Sequence, residues 1–199
     1  MGPPLILASA STARAHVLKE AGLVFTREIA DVDEDRMKSA LAAEKADTGT
    51  IAEALAVAKA RKIAERFPGS SVIGADQILE IDGTRLDKPR DKEEASGHLK
   101  ALRGRTHSLI SAVCVARGGT VQWRHRETAR LSMRAFSDDF LDFYLENAGP
   151  PILQSVGAYR LEGLGAQLFD SIDGDYFTIL GLPLLPLLAF LRQSDILRR

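Results

Sequence analysis

The sequence predicts an α/β domain in which helices flank a mixed β-sheet, and three observations lead there. Short apolar runs such as Leu5-Ile6-Leu7-Ala8 and Ser71-Val72-Ile73-Gly74-Ala75 read as buried strands. Longer stretches, 51–67 and 91–102 among them, read as helices, the first stopped by Pro68-Gly69. The two kinds of element do not alternate strictly, which argues for a mixed sheet rather than a doubly wound parallel one.

In chain order, the first strand leads through Ser9-Ala10-Ser11 into a helix from Thr12 to Ala21, stopped by Gly22. A second strand is expected from Val24 to Ile29. Residues 33–50 are charged and alanine-rich and read as a mobile helix or lid before the long helix Ile51 to Phe67. The strand from Ser71 should deliver Asp76 at its end, and Ile78 to Ile81 with the Asp82-Gly83 turn should form a hairpin continuing it. Asp91 caps a helix to Leu102. Leu109 to Ala116 and Val121 to Met133 flank Gly118-Gly119 as a long hairpin, and Ser137 opens a helix to about Glu146. Gly157 to Ile172 is glycine-punctuated strand and loop, and the apolar stretch Leu180 to Leu191 is a buried helix after a turn.

Composition bounds the partners. The 199 residues, 45% of them hydrophobic, suit one domain over 1–199, or two intimately packed lobes. Lysine and arginine total 26 against 27 acidic residues, so nothing suggests a sequence-independent grip on nucleic acid or an anionic membrane. Leu180 to Leu191 is too short to span a bilayer and holds Pro183 and Pro186. The start Met1-Gly2-Pro3-Pro4 shows no leader pattern. Cys114, in an apolar run, reads as a buried inert thiol, which suits a reducing compartment, and a cytoplasmic location is expected.

Several residues could carry chemistry. Ser9, Ser11 and Arg14 stand where a strand gives way to a helix, where free N–H groups, hydroxyls and a guanidinium can bind phosphate oxygens; Ser11 reads equally as a plain N-cap. Asp76, beside glycine on an apolar strand, can ligate a metal or take a proton from water, and can also be a turn-former. Lys88 precedes Pro89 and is held extended. Lys59 interrupts the apolar face set by Ile51 and Leu55, either snorkelling to solvent or reaching into a cleft. Asp31, Asp33, Glu34 and Asp35 form either a solvated loop or part of a magnesium site. The four histidines have no metal-ligand spacing, no serine–histidine–aspartate set stands out, and the late glycines form no Rossmann or P-loop fingerprint.

These segments together resemble the Maf family of nucleotide pyrophosphatases, whose fold is similar to that of the inosine triphosphate pyrophosphatases. The pieces are LILASASTAR (5–14), VDE (32–34), AKA (58–60), GADQ (74–77), DKPRD (87–91), LRGRTH (102–107), GAYRLEGLGA (157–166) and GDYFTILGLPL (174–184). The resemblance implies a twisted mixed sheet in two lobes with a central cleft. It implies hydrolysis of a nucleoside triphosphate between its α- and β-phosphates with Mg2+ or Mn2+. Asp76 would accept a proton, Glu34 and Asp76 would hold metal, and Ser9, Ser11, Arg14, Lys59 and Lys88 would contact phosphates. A homodimer is implied as well. A non-catalytic regulator of septum formation is the alternative, because the family resembles proteins first associated with septum arrest.

Base choice rests on three positions. Gln77 and Glu162 resemble the branch acting on 7-methyl-GTP, and an acceptor-only carboxylate suits the adjacent N–H donors of a guanine edge. Ala13, however, stands where that branch carries a tryptophan that could stack on the cationic base. Thr12, Ser155 and Val156 also depart from the family pattern, and Ser111 replaces a common threonine. A guanine-type or broad preference is expected over UTP and dTTP.

Overall fold

The computed structural model describes residues 3–198; Met1 and Gly2, where the absence of a leader was read, lie outside them. The chain runs β1 (Leu5–Ala8), α1 (Thr12–Glu20), β2 (Thr26–Arg27), α2 (Glu34–Ala43), α3 (Thr48–Arg66), β3 (Ser71–Ile81) and β4 (Thr84–Leu86). It continues with α4 (Lys92–Leu102), β5 (Thr106–Arg117), β6 (Thr120–Met133), α5 (Asp138–Asn147), β7 (Phe169–Asp173), α6 (Tyr176–Ile179) and α7 (Leu184–Gln193). Short 3-10 turns fill the stretch between α5 and β7.

One seven-stranded sheet takes the order β2-β1-β3-β5-β6-β7, with β4 paired to β3. β1 is parallel to β2 and β3, while the β3–β4 and β6–β7 pairs are antiparallel, so the sheet is mixed as the sequence predicts. The chain divides into two compact units, 3–77 with 111–127 and 180–198, and 78–110 with 128–179. Among the described residues, no helix is long and apolar enough to cross a membrane.

Local chemistry explains most of the boundaries. Ser11, Asp33, Asp47, Asp91 and Ser137 cap five helices, each side chain accepting the N–H three residues on. Asp82 and Gly83 both have positive φ, 47° and 76°, the backbone a two-residue hairpin turn requires. Pro186 falls in the first turn of α7, where its missing N–H costs no helical bond.

The expected elements shift in four places. The second strand keeps only Thr26–Arg27 of the stretch Val24 to Ile29: Val24 and Ile29 are 92% and 68% exposed, so no burial extends the pairing. The expected break at Asp76 is absent, because β3 continues unbroken into its pairing with β4, leaving Asp76 in mid-strand. The 33–50 stretch is α2, a short connection and the first turn of α3. The last helix begins at Leu184 rather than Leu180, because Gly181 has a φ of 90° and Pro183 caps α7.

The second unit has its own core, in which Leu79, Leu99, Leu102, Leu131 and Tyr144 are fully buried. In the first unit, Leu7, Leu18, Ile51, Leu55, Ile63 and Ile73 are fully buried on β1, α1, α3 and β3. Cys114 is buried there too, and burial pushes its thiol up to about 12, as suits an inert core group.

Candidate active site

Gly74 decides how the site of the first unit is assembled. A Cβ at Gly74 would stand 2.2 Å from the Ala56 carbonyl oxygen and 2.8 Å from the Ala60 Cβ, so only glycine lets α3 lie this close to β3. Side chains two apart on a strand share a face, so Asp76 points the same way as Gly74, toward α3. On α3, Lys59 lies between the two alanines that touch Gly74. The alanine-rich inner face of α3 thus brings an ammonium onto a mid-strand carboxylate.

The contact is short and sheltered. Lys59 Nζ donates to Asp76 Oδ1 at 2.6 Å and lies 2.9 Å from Glu34 Oε1. The side chains of Lys59 and Asp76 are 11% and 9% exposed, that of Glu34 41%. Glu34 is the first residue of α2, which packs on α3, while its neighbour Asp33 is turned away to cap the helix. Of the acidic cluster, Glu34 is the member that meets Lys59.

Arg14 is the second buried cation. Its Nε donates to the Gly181 carbonyl at 2.7 Å, and its Nη1 donates to the Ala75 carbonyl at 3.1 Å and to Ser9 Oγ at 3.2 Å. β1 ends at Ala8, opposite Gly74, and Arg14 takes the next carbonyl of β3 that the strand leaves behind. Burial lowers the guanidinium below its ordinary value, and the nearby Asp76 and Glu34 carboxylates act to raise it again. An arginine stays charged through such a shift. Ser9 Oγ also accepts the Ser11 N–H at 3.2 Å, and Ser11 Oγ accepts the Arg14 N–H at 3.3 Å as an N-cap. Gln77 Nε2 donates to the buried Ser111 Oγ at 3.0 Å, and Ala13 is half-buried on α1.

The structure therefore gathers Ser9, Ser11, Arg14, Glu34, Lys59, Asp76 and Gln77 around the end of β1 and the middle of β3. Lys88 and Glu162 belong to the second unit: Lys88 is exposed between β4 and α4, and Glu162 Oε1 accepts from Arg160 Nε at 2.9 Å. Sequence reasoning missed the Gly181 and Ala75 carbonyls that fix Arg14. Every residue carries a carbonyl, so no residue type marks them; the glycine of GLP at 181–183 is the nearest available signal.

Among the described residues, no group of three or more His, Cys, Asp or Glu side chains is placed to hold a metal; the carboxylates of this site are a pair. Lys59 meets one oxygen of each carboxylate, Asp76 Oδ1 and Glu34 Oε1. One or two carboxylates completed by substrate oxygens is the donor set magnesium and manganese take, so the residues present fit such an ion.

A family described as Maf-like protein matches residues 4–194. The chain belongs to the Maf family. It is 53% identical, over 95% of its length and 97% of the relative's, to a nucleoside triphosphate pyrophosphatase of Paramagnetospirillum magneticum. It is 50% identical, over 97% of both chains, to a 7-methyl-GTP pyrophosphatase of Rhizobium meliloti. A solved dITP/XTP pyrophosphatase from Mycobacterium abscessus aligns over 98% of both chains at 14% identity and a TM-score of 0.44, too loose a likeness to carry an argument.

Proposed function

We propose that this Maf-family chain hydrolyses nucleoside triphosphates between the α- and β-phosphates, releasing a nucleoside monophosphate and pyrophosphate. The observation that carries the reading is the contact of Glu34 and the buried pair Lys59–Asp76 beside Arg14, in a chain whose relatives of about 50% identity bear pyrophosphatase names. Phosphoryl chemistry needs little from a protein beyond fixed positive groups and a positioned base, and the first unit supplies both.

In this reading Asp76 accepts a proton from the attacking water, whose oxygen bonds to the α-phosphorus while the bond to the α–β bridging oxygen breaks and pyrophosphate leaves. Lys59 and Arg14 face the charge that builds on the phosphate oxygens, and Ser9 and Ser11 offer hydroxyls at the start of α1. Glu34 and Asp76 would hold Mg2+ or Mn2+, which when bound neutralises phosphate charge and acidifies a bound water. Lys88 keeps its implied phosphate contact, to be tested by Lys88→Ala.

For the base, the reading favours guanine-type triphosphates, 7-methyl-GTP among them, over UTP and dTTP. Gln77 and Glu162 support it, as does the relative named for 7-methyl-GTP. The same reading takes the chain as cytoplasmic and homodimeric, the latter checked by light scattering. The deciding experiment is a panel of triphosphates with Mg2+ or Mn2+, scored for pyrophosphate against orthophosphate. Orthophosphate alone overturns the cleavage position, and UTP turnover equal to that of GTP and 7-methyl-GTP overturns the preference. Tight binding without turnover would instead mark a nucleotide-binding regulator.

A further inference from the structure

We propose that Lys59 is a resident counter-ion on the Glu34–Asp76 pair, so that a divalent metal loads well only together with the triphosphate that draws Lys59 away. This rests on the metal assignment made for the same two carboxylates. Lys59 already sits where a cation is wanted, 2.6 Å from Asp76 Oδ1 and 2.9 Å from Glu34 Oε1, distances typical of charge-assisted bonds. Its Cα is fixed, because α3 is pressed onto β3 at Gly74, but four methylenes carry the ammonium and let it swing without moving the helix.

Charge couples the metal to the substrate. The formal charges of Glu34, Asp76, Lys59 and Arg14 cancel, and Arg14 is close enough to feel both carboxylates. A divalent ion arriving alone would make this sheltered site strongly positive, at an effective dielectric well below that of water. A divalent ion arriving with a polyanionic triphosphate would not, and the phosphates give the Lys59 ammonium a second set of oxygens. Lys59 thus antagonises the metal in the free protein and cooperates with it once substrate is present, a coupling that is reciprocal by linkage. A lysine that merely neutralised a buried carboxylate would need no more than Asp76; here it bridges two carboxylates, one from α2 and one from β3.

The test measures Mn2+ affinity of the whole protein from the signal of unbound Mn2+ in electron paramagnetic resonance, with and without an α,β-methylene triphosphate that cannot be cleaved. In the native protein the analogue should tighten Mn2+ binding. Lys59→Met should tighten Mn2+ binding to the ligand-free protein by about tenfold or more and shrink the effect of the analogue, whereas Lys59→Arg should stay near the native values. If Lys59→Met folds poorly, a Mg2+ titration of the native protein read by lysine side-chain NMR replaces it: with the analogue present, Lys59 should be the ammonium whose signal moves most. Mn2+ affinity unchanged or weaker in folded Lys59→Met, or unaffected by the analogue in the native protein, overturns the inference while leaving measured pyrophosphate release untouched. Absence of Mn2+ binding to the native protein with or without analogue overturns the metal assignment and the inference together.

Discussion

Among the described residues, the buried charged side chains, Arg14, Lys59 and Asp76, all lie in the first unit, whereas the buried polar side chains of the second are neutral. Arg14, Lys59 and Asp76 are 9%, 8% and 6% exposed, and Lys59 donates to Asp76 Oδ1. In the second unit, His107 Nε2 and Tyr159 Oη are 2.7 Å apart, the Tyr159 ring meets Phe169 edge-on, and Tyr144 Oη donates to the Ala158 carbonyl. Buried charge is expensive to hold and worth holding where a ligand will complete it; buried neutral pairs specify packing. Substitutions of the buried charged groups of the first unit should therefore act on turnover, and those of the buried neutral groups of the second on stability.

The largest expected effect is on catalysis. Asp76→Asn keeps the shape of the side chain but removes the proton acceptor, and kcat should fall by about 10³-fold with the fold unchanged by circular dichroism. Near-native turnover in this variant would move the base elsewhere and break the comparison at its strongest point. Gly74→Ala tests how the site is built: the new methyl meets the Ala56 carbonyl, α3 must retreat from β3, and stability should drop by about 3 kcal/mol in urea unfolding. Lys59 moves with α3, so turnover should fall as well, the signature of a packing change that reaches the chemistry.

How much of the fold and the site could be read from the sequence depends on the range of each interaction. The helix caps at Ser11, Asp91 and Ser137 are local and were legible, as was the Asp82-Gly83 turn. Lys59 was legible as a charge on an apolar face, because Ile51 and Leu55 mark that face. Its partner was not, since Asp76 could be paired with it only by knowing that β3 runs under α3. The choice of Glu34 from four neighbouring acids depends on Asp33 taking the cap of α2, and the Arg14 contacts with the Ala75 and Gly181 carbonyls span 61 and 167 positions. The single strand through Asp76 was also hidden: glycine beside a polar pair looks like a strand end, and only the β4 partner shows that it is not.

The pH dependence should separate the units. Burial lowers His107 to about 4, and its buried Nδ1 has no partner among the described residues to receive a second proton. In the unfolded chain the same ring takes a proton near pH 6.5. Between about pH 6.5 and 4 the unfolded state therefore binds a proton that the folded state refuses, so stability falls as pH drops through that window, by at most about 3 kcal/mol, and His107 adds no slope above it. Urea midpoints followed by near-ultraviolet circular dichroism should show this loss, and His107→Gln should flatten it. A slope that survives in His107→Gln assigns the acid sensitivity to other groups.

The smallest effect is the sharpest check on the claim that the second unit's buried neutral polar groups serve packing. Tyr144 is fully buried, burial pushes its phenol above the ordinary value, and its hydroxyl donates to the Ala158 carbonyl at 3.1 Å. Ala158 has a φ of 60°, unusual for a residue with a Cβ, and follows Gly157 at 77°. Removing the hydroxyl by Tyr144→Phe leaves the ring and its packing but strips the donor from that carbonyl, which should cost about 1 kcal/mol. Turnover and KM should not change, because the loss is a hydrogen bond within the fold. A rise in KM for guanine-type triphosphates with little loss of stability would show that the left-handed turn at Gly157 and Ala158 orients residues that read the base, and the division of labour between the units would have to be redrawn.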